Sequence, residues 1–340
     1  MIDLRSDTVT KPTEEMREAA RTATVGDDVH REDPTVMQLE ERAAEILGTD
    51  AALYVPSGTM GNQIAVLTHT DPGQEVILES TCHIYNWECG GLATNAGIQA
   101  RPIDGGETGL FTSEDLSAAF VDESLHRAGT GLVCIENTHN HAGGVPHTPA
   151  AIRERAELAH DRGVPLHIDG ARLFNAAVAL DEDPNRLAEH ADSVMVALTK
   201  GLGAPVGSIL AGSSSFIKAA RRQRKRLGGG MRQVGIIAAP GLVALEHRDH
   251  LANDHDRAAR LAAALDELDG LAVPKPDTNI IVAEVTREDL SVDAFLTACE
   301  HNGVRGLAFG GNTVRFCTHR DIDDSDIDTA IEAVTAAMSA

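Results

Sequence analysis

The stretch "SVMVALTKGLGAPVGS", residues 193–208, decides how the chain is read. Its first half is an unbroken apolar run, the pattern of a strand buried on both faces. The run ends on Thr199 and Lys200, then passes into a loop with glycine at 201, 203 and 207. Lys200 is the only lysine between Lys11 and Lys218. In an open α/β sheet ligands bind beyond the carboxyl ends of the strands, so a lysine placed there is a candidate reactive group. Alone, such a lysine is more often simply solvated.

Outward from this stretch, strands and helices alternate. "VPLHIDGAR" (164–172) is another apolar run with a polar tip, and "EVILES" (75–80) and "GLVCIEN" (131–137) repeat the pattern. Between such runs lie helices with readable ends. In "DPTVMQLEERAAEILG" (33–48), Asp33 is the cap, Pro34 the first turn and Gly48 the stop. Thr148, Pro149 and Gly163 do the same in "TPAAIRERAELAHDRG" (148–163). This alternation predicts an α/β fold, a mainly parallel sheet with helices on both faces. After about residue 250 it gives way to a polar helix near 254–269, the strand "TNIIVAEV", the helix "VDAFLTACEHNG", the strand "NTVRFCTH" and a terminal helix. Two domains are expected: a large one over 1–250 that includes the N-terminal arm, and a small C-terminal α+β domain over 251–340.

The composition excludes several classes. With 52 acidic against 29 basic residues, the formal net charge is −23. That field disfavours nucleic acid and anionic membranes as partners. The acids lie in runs such as "DEDP" and "DIDDSDID", as on a surface adapted to a high-salt cytoplasm, where screening relieves self-repulsion. The five cysteines form no CxxC pair and read as reduced thiols. No apolar run is long enough for a membrane span, and "MIDLRSDTVT" lacks the basic and apolar regions of a signal peptide, so a soluble cytoplasmic protein is expected. His139 and His141 in "NTHNHAGG" have no third ligand at a useful spacing, so no metal is expected. "RRQRKRLGGGMRQ" (221–233) is a basic island in an acidic chain.

Asp169, Arg172 and Lys200 at neighbouring strand ends suggest a pyridoxal phosphate site. The lysine amine would join the cofactor aldehyde as an imine, and a carboxylate beside the ring nitrogen would keep that nitrogen protonated. The glycines after Lys200 would let backbone and cofactor approach closely. Ser57, Gly58 and Thr59 in "PSGTMGNQIAVLTHT" (56–70) open a helix whose free N–H groups suit a phosphate. His83 in "STCHIYNWECGG" follows a strand and could lie over a planar ring. Each residue alone has an ordinary structural reading; the joint order is what carries weight.

"LRSDTVT", "YVPSGTMGN", "HIDGAR", "TKGLGAPVGS" and "GGGMRQ" together resemble the low-specificity L-threonine aldolase family, from residue 3 to about residue 320. The resemblance implies fold type I of the pyridoxal-phosphate enzymes, the aminotransferase-like architecture with a seven-stranded sheet. It implies Lys200 as the Schiff-base lysine, Asp169 at the pyridinium nitrogen, Gly58 and Thr59 on the phosphate, and His83 on the ring. Ser6, Arg172 and Arg315 would bind the substrate carboxylate, and His126, at the end of the helix before "GLVCIEN", would lie near the substrate side chain. The base for the β-hydroxyl proton stays open between His83, His126 and a water. The family is oligomeric, so a homotetramer built from dimers with shared active sites is expected, with Lys225 and Arg232 reaching a partner's phosphate. The implied reaction is cleavage of threonine or allo-threonine to glycine and acetaldehyde. A serine-hydroxymethyltransferase-like or β-eliminating enzyme is the nearest rival, and a non-catalytic phosphate-ligand binder a more distant one. The family's usual "DDVYGEDPT" reads "DDVHREDPT" here, so His30 replaces a phenol near the substrate and Arg31 a glycine.

Overall fold

The computed structural model describes residues 1–339. A short strand β1 (Ile2–Asp3) opens the chain. Seven runs then build the main sheet: β2 (Ala51–Val55), β3 (Glu75–Glu79), β4 (Gln99–Ile103), β5 (Thr130–Glu136), β6 (Leu166–Gly170), β7 (Ser193–Ala197) and β8 (Ser208–Gly212). Their order is β2-β8-β7-β6-β5-β3-β4. The pairs from β7 to β4 are parallel, and β8 is antiparallel to both neighbours. The reversal has a local cause. Residues 198–207 join β7 to β8 as a loop without a crossover helix, so the chain must turn back. The loop responsible is the one that carries Lys200.

Helices α1 (Glu14–Thr22), α2 (Pro34–Leu47), α3 (Gly58–His69), α4 (His83–Asn86), α5 (Ser113–Ala119), α6 (Pro149–His160), α7 (Leu173–Leu180), α8 (Pro184–Ala188), α9 (Ser214–Arg226) and α10 (Gly235–Glu246) surround the sheet. The ends read from sequence are in place. Asp33 Oδ1 accepts from Val36 N at 3.1 Å, and Thr148 Oγ1 from Ala151 N at 3.2 Å. Gly48 closes α2 at φ +66, in the left-handed region that glycine enters without strain.

The C-terminal unit holds α11 (Leu251–Asp266), β9 (Leu271–Ala272), β10 (Ile280–Val285), α12 (Val292–His301), β11 (Val304–Arg305), β12 (Leu307–Gly310), β13 (Thr313–Cys317) and α13 (Asp324–Met338). Its antiparallel sheet runs β12-β13-β10-β9. The N-terminus packs differently from expectation. β1 pairs in parallel with β11, and Ile2 and Leu4 sit in the small unit's core with Phe295, Val304 and Phe316. The arm therefore starts in the small unit and crosses to the large one, where Thr10 Oγ1 donates to the Lys200 carbonyl at 2.8 Å.

Candidate active site

The carboxyl ends of β5, β6 and β7, the N-terminus of α3 and the returning arm enclose a cavity of about 430 Å³. Ser6, Gly58, Thr59, His83, Asp169, Arg172, Lys200 and Arg315 all line it. Residues spread over more than 300 positions converge because each follows a strand end, or lies on the arm or strand that closes over those ends.

Lys200 begins the short 3₁₀ turn Lys200–Leu202 and takes φ +59, a left-handed conformation unusual for a residue with a Cβ. Its side chain is half-buried in the cavity lining, and desolvation together with the Arg172 guanidinium lowers its proton affinity. A lysine so placed holds more of the neutral, nucleophilic amine near neutral pH. The glycines after it do a different job from the one expected. A Cβ on Gly201 would meet Leu251 at 2.7 Å, on Gly203 the Arg320 side chain at 2.6 Å, and on Gly207 would overlap the Tyr54 hydroxyl and ring. These glycines fit the loop against its own protein, and only Gly207 also lines the cavity. At α3, Ser57 caps the helix by accepting from Met60 N, which leaves the Gly58 and Thr59 N–H groups at the open end. The β-carbon that Gly58 lacks would sit 3.1 Å from Met195 of β7, so the glycine lets the helix end rest on the sheet.

The two arginines are not equivalent. Arg172 Nε and Nη2 grip Asp7 at 2.7 and 2.8 Å, and Nη1 donates to Asn140 Oδ1 at 3.0 Å. Both members of that ion pair are buried, and the guanidinium holds the Asp7 carboxyl well below the usual carboxylate range. Arg315 has no acidic partner among the described residues. Its Nη groups donate to Asn140 Oδ1 and the Arg5 carbonyl, and its Nε is buried with no partner. A buried cation with a free donor is a ready site for a carboxylate.

Sequence reasoning missed the groups behind Asp169. Asn62 Nδ2 donates to Asp169 Oδ2 at 2.8 Å and to Glu88 Oε1 at 2.9 Å. Gln63 Nε2 donates to Glu88 Oε2 at 2.7 Å, and His83 Nδ1 lies 3.1 Å from Glu88 Oε1. His83, Glu88 and Asp169 bring ligand-type atoms within 4.8 Å of one another, but the Asn62 amide lies between the carboxylates and donates to both. A signal existed: Asn62 follows Gly58 by one helical turn, and Glu88 is the lone acid in "HIYNWECGG".

Four anticipated residues lie outside the cavity lining. His126 sits on an exposed turn between Ser124 and Arg127; the preceding helix, α5, already ends at Ala119, so the expected helix end is not there. His30 is exposed at the end of the 3₁₀ turn Asp28–His30, and Arg31 holds the left-handed cap position at φ +60 that the family's glycine would take. Lys225 and Arg232 are exposed, with Arg232 bonded to Asp27 at 2.7 Å. Part of the basic island is structural: Arg224 donates to buried Asp28 at 2.5 Å and to the Tyr54 carbonyl at 2.6 Å, and Arg221 to Glu40 at 2.7 Å. His139 is buried against Glu79 at 2.9 Å, whereas His141 stacks on Phe309.

Among known families, the beta-eliminating lyases match residues 3–288. The chain is 44% identical over 346 aligned positions to low-specificity L-threonine aldolase 1 of Arabidopsis thaliana, covering 99% of this chain and 96% of that one. It is 41% identical to the low specificity L-threonine aldolase of Escherichia coli K12, with 95% of each covered. The solved threonine aldolase of Leishmania major superposes with a TM-score of 0.85 at 20% identity, covering 99% of this chain and 100% of that one. The architecture is that of the fold-type-I pyridoxal-phosphate enzymes.

Proposed function

The chain belongs to the low-specificity L-threonine aldolase family, within the beta-eliminating lyases, and on that premise we propose that its cavity cleaves L-threonine and L-allo-threonine to glycine and acetaldehyde. The family's cofactor is pyridoxal 5′-phosphate, and the residues present fit it. An amine of lowered proton affinity, a carboxylate and an open helix N-terminus share one cavity, which also has two orphaned buried polar atoms, Thr138 Oγ1 and Arg315 Nε. The chemistry that pyridoxal phosphate supplies when bound is an electron sink for the pair released at the substrate Cα.

The chain's own residues do the rest. Lys200 would hold the aldehyde carbon, and the Gly58 and Thr59 N–H groups the phosphate. Asp169, fixed by Asn62 and by the Ala171 N–H at 3.1 Å, would keep a proton on the ring nitrogen. Arg315 would take the substrate carboxylate with Ser6, while Arg172, aimed by Asp7, completes the anion site. That grip sets which bond at Cα faces the conjugated system, so orientation selects cleavage of Cα–Cβ. His83 lines the cavity and is the proposed base for the β-hydroxyl proton.

The single observation that carries this reading is Lys200 and Asp169 lining one cavity together with Arg315, a buried cation without an acidic partner among the described residues. The test is aldehyde release from both diastereomers after loading with cofactor. Glycine and acetaldehyde in equal amounts support it; 2-oxobutanoate and ammonia would assign β-elimination instead. We place the enzyme in a salt-rich cytoplasm as a homotetramer with shared sites. Support comes from the net charge of −23 and from exposed Tyr85, Trp87 and Ile236, which a second copy would cover. In that assembly Lys225 and Arg232 reach a partner's phosphate, so Lys225→Ala should weaken cofactor binding. His30 lies outside the lining of its own chain's cavity, so its contact with a substrate side chain would be made in that assembly, and His30→Tyr should then change the kcat/KM ratio of threonine to allo-threonine.

A further inference from the structure

Every proton behind the ring-side acid can be assigned from acceptor counting. Both N–H groups of Asn62 face carboxylates, so its Oδ1 must accept, and it lies 3.1 Å from His167 Nε2. His167 therefore carries its proton on Nε2, and its Nδ1 accepts from the Ser193 hydroxyl at 2.9 Å. Ser193 Oγ then accepts from His69 Nε2 at 2.8 Å. Burial keeps both rings neutral, lowering His167 to about 3 and His69 to about 4. The chain of bonds is closed and directional, and it terminates on the two carboxylates.

Glu88 is the end of that chain that touches a cavity residue. Its side chain is fully buried, whereas His83 is 38% exposed. Burial raises the proton affinity of the Glu88 carboxyl, and three hydrogen-bond partners oppose it, Asn62 and the His83 ring on Oε1 and Gln63 on Oε2, an arrangement that suits the carboxylate as acceptor. The proton between Glu88 and His83 then rests on His83 Nδ1.

We propose that Glu88 is the positioning residue for His83: it accepts the Nδ1 proton and fixes the tautomer in which Nε2 turns a lone pair to the cavity. The proposal rests on the reading of His83 as the base that takes the β-hydroxyl proton. The charged groups facing His83 are Glu88, Asp169 on β6 and Glu136 at the end of β5, whose Oε2 accepts from the His83 backbone N–H at 2.6 Å; Lys200 lines the same cavity. The carboxylates raise the imidazole's proton affinity against the opposing pull of burial. The acid limb of kcat/KM, where the base becomes protonated, therefore lies higher than for a free imidazole.

The test is nitrogen NMR of histidine in the cofactor-free protein, with His83→Asn to assign the signal. The wild type should show the Nδ1–H tautomer. In Glu88→Gln the His83 midpoint should fall by about 1 pH unit or more, and in Glu88→Leu the tautomer preference should be lost. The acid limb of kcat/KM in loaded Glu88→Gln should move down by the same amount. Should the Glu88 variants fail to fold, Gln63→Met removes one donor to Glu88, leaves the carboxylate more basic and should raise the His83 midpoint, opposite to the shift in Glu88→Gln. An unmoved midpoint, or an Nε2–H tautomer in the wild type, overturns the proposal. Because the NMR needs no turnover, a wild type inactive on threonine would sink the aldolase reading and leave this one separately decided.

Discussion

Arg172 and Arg315 look interchangeable in sequence, since each follows a strand and each could grip a carboxylate. Their surroundings separate them. Arg172 completes a buried pair with Asp7, and losing one partner of such a pair costs about 3–5 kcal/mol. Arg315 has no acid to lose. Arg172→Leu should therefore lower the melting temperature by several degrees. Arg315→Leu should leave it nearly unchanged while lowering kcat/KM for threonine by about 10- to 100-fold, the loss of one charge-assisted contact of roughly 1.5–3 kcal/mol. Thermal melting and steady-state kinetics on both variants check this; the reverse pattern would contradict the assignment. At this scale the sequence showed which residues carry chemistry but not what holds them. Ser6 was recognised while its neighbour Asp7 was not, because Asp7 acquires its role only when the arm meets β6.

At the level of elements, caps were readable because each depends on residues within one turn, as Asp33 and Thr148 show. Pairings between distant elements were not. The basic island on α9 was read as an intermolecular feature, yet Arg224 spends its charge on Asp28, 196 positions away, and pins α9 to the turn before α2. Asp28→Ala should cost about 3–5 kcal/mol through the stranded Arg224 charge, seen as a lower denaturation midpoint. A change under about 0.5 kcal/mol, the range of ordinary surface substitutions, would show that the pair holds little. The antiparallel β8 was likewise unforeseen, since alternation alone says nothing about a strand joined by a loop.

Across the whole molecule, two electrostatic effects act on stability. The net charge of −23 repels itself through a screening length of about 10 Å in 0.1 M salt and about 3 Å in 1 M. The melting temperature should therefore climb as potassium chloride is raised between those limits, and a flat profile would remove the salt-adaptation proposal. Buried neutral histidines add a pH term. His147 and His167 fall to about 3, and His69 and His255 to about 4, from an ordinary 6.5. A depressed folded value means the unfolded chain binds more protons below pH 6.5, so stability is full above that pH and drains as pH falls toward 4. Melting at fixed high salt across pH 7 to 4 checks the direction; a rising melting temperature on acidification would contradict it.

The central claim is a covalent cofactor site at Lys200 with Asp169 as its ring-side acid. The most direct measurement is borohydride reduction of the cofactor-loaded protein, followed by peptide mass spectrometry. The account predicts loss of the visible band and a single stable cofactor label on the peptide that contains Lys200, with none in Lys200→Ala. A label on Lys225 or Lys218, or no label on a protein that still binds the cofactor, would contradict it.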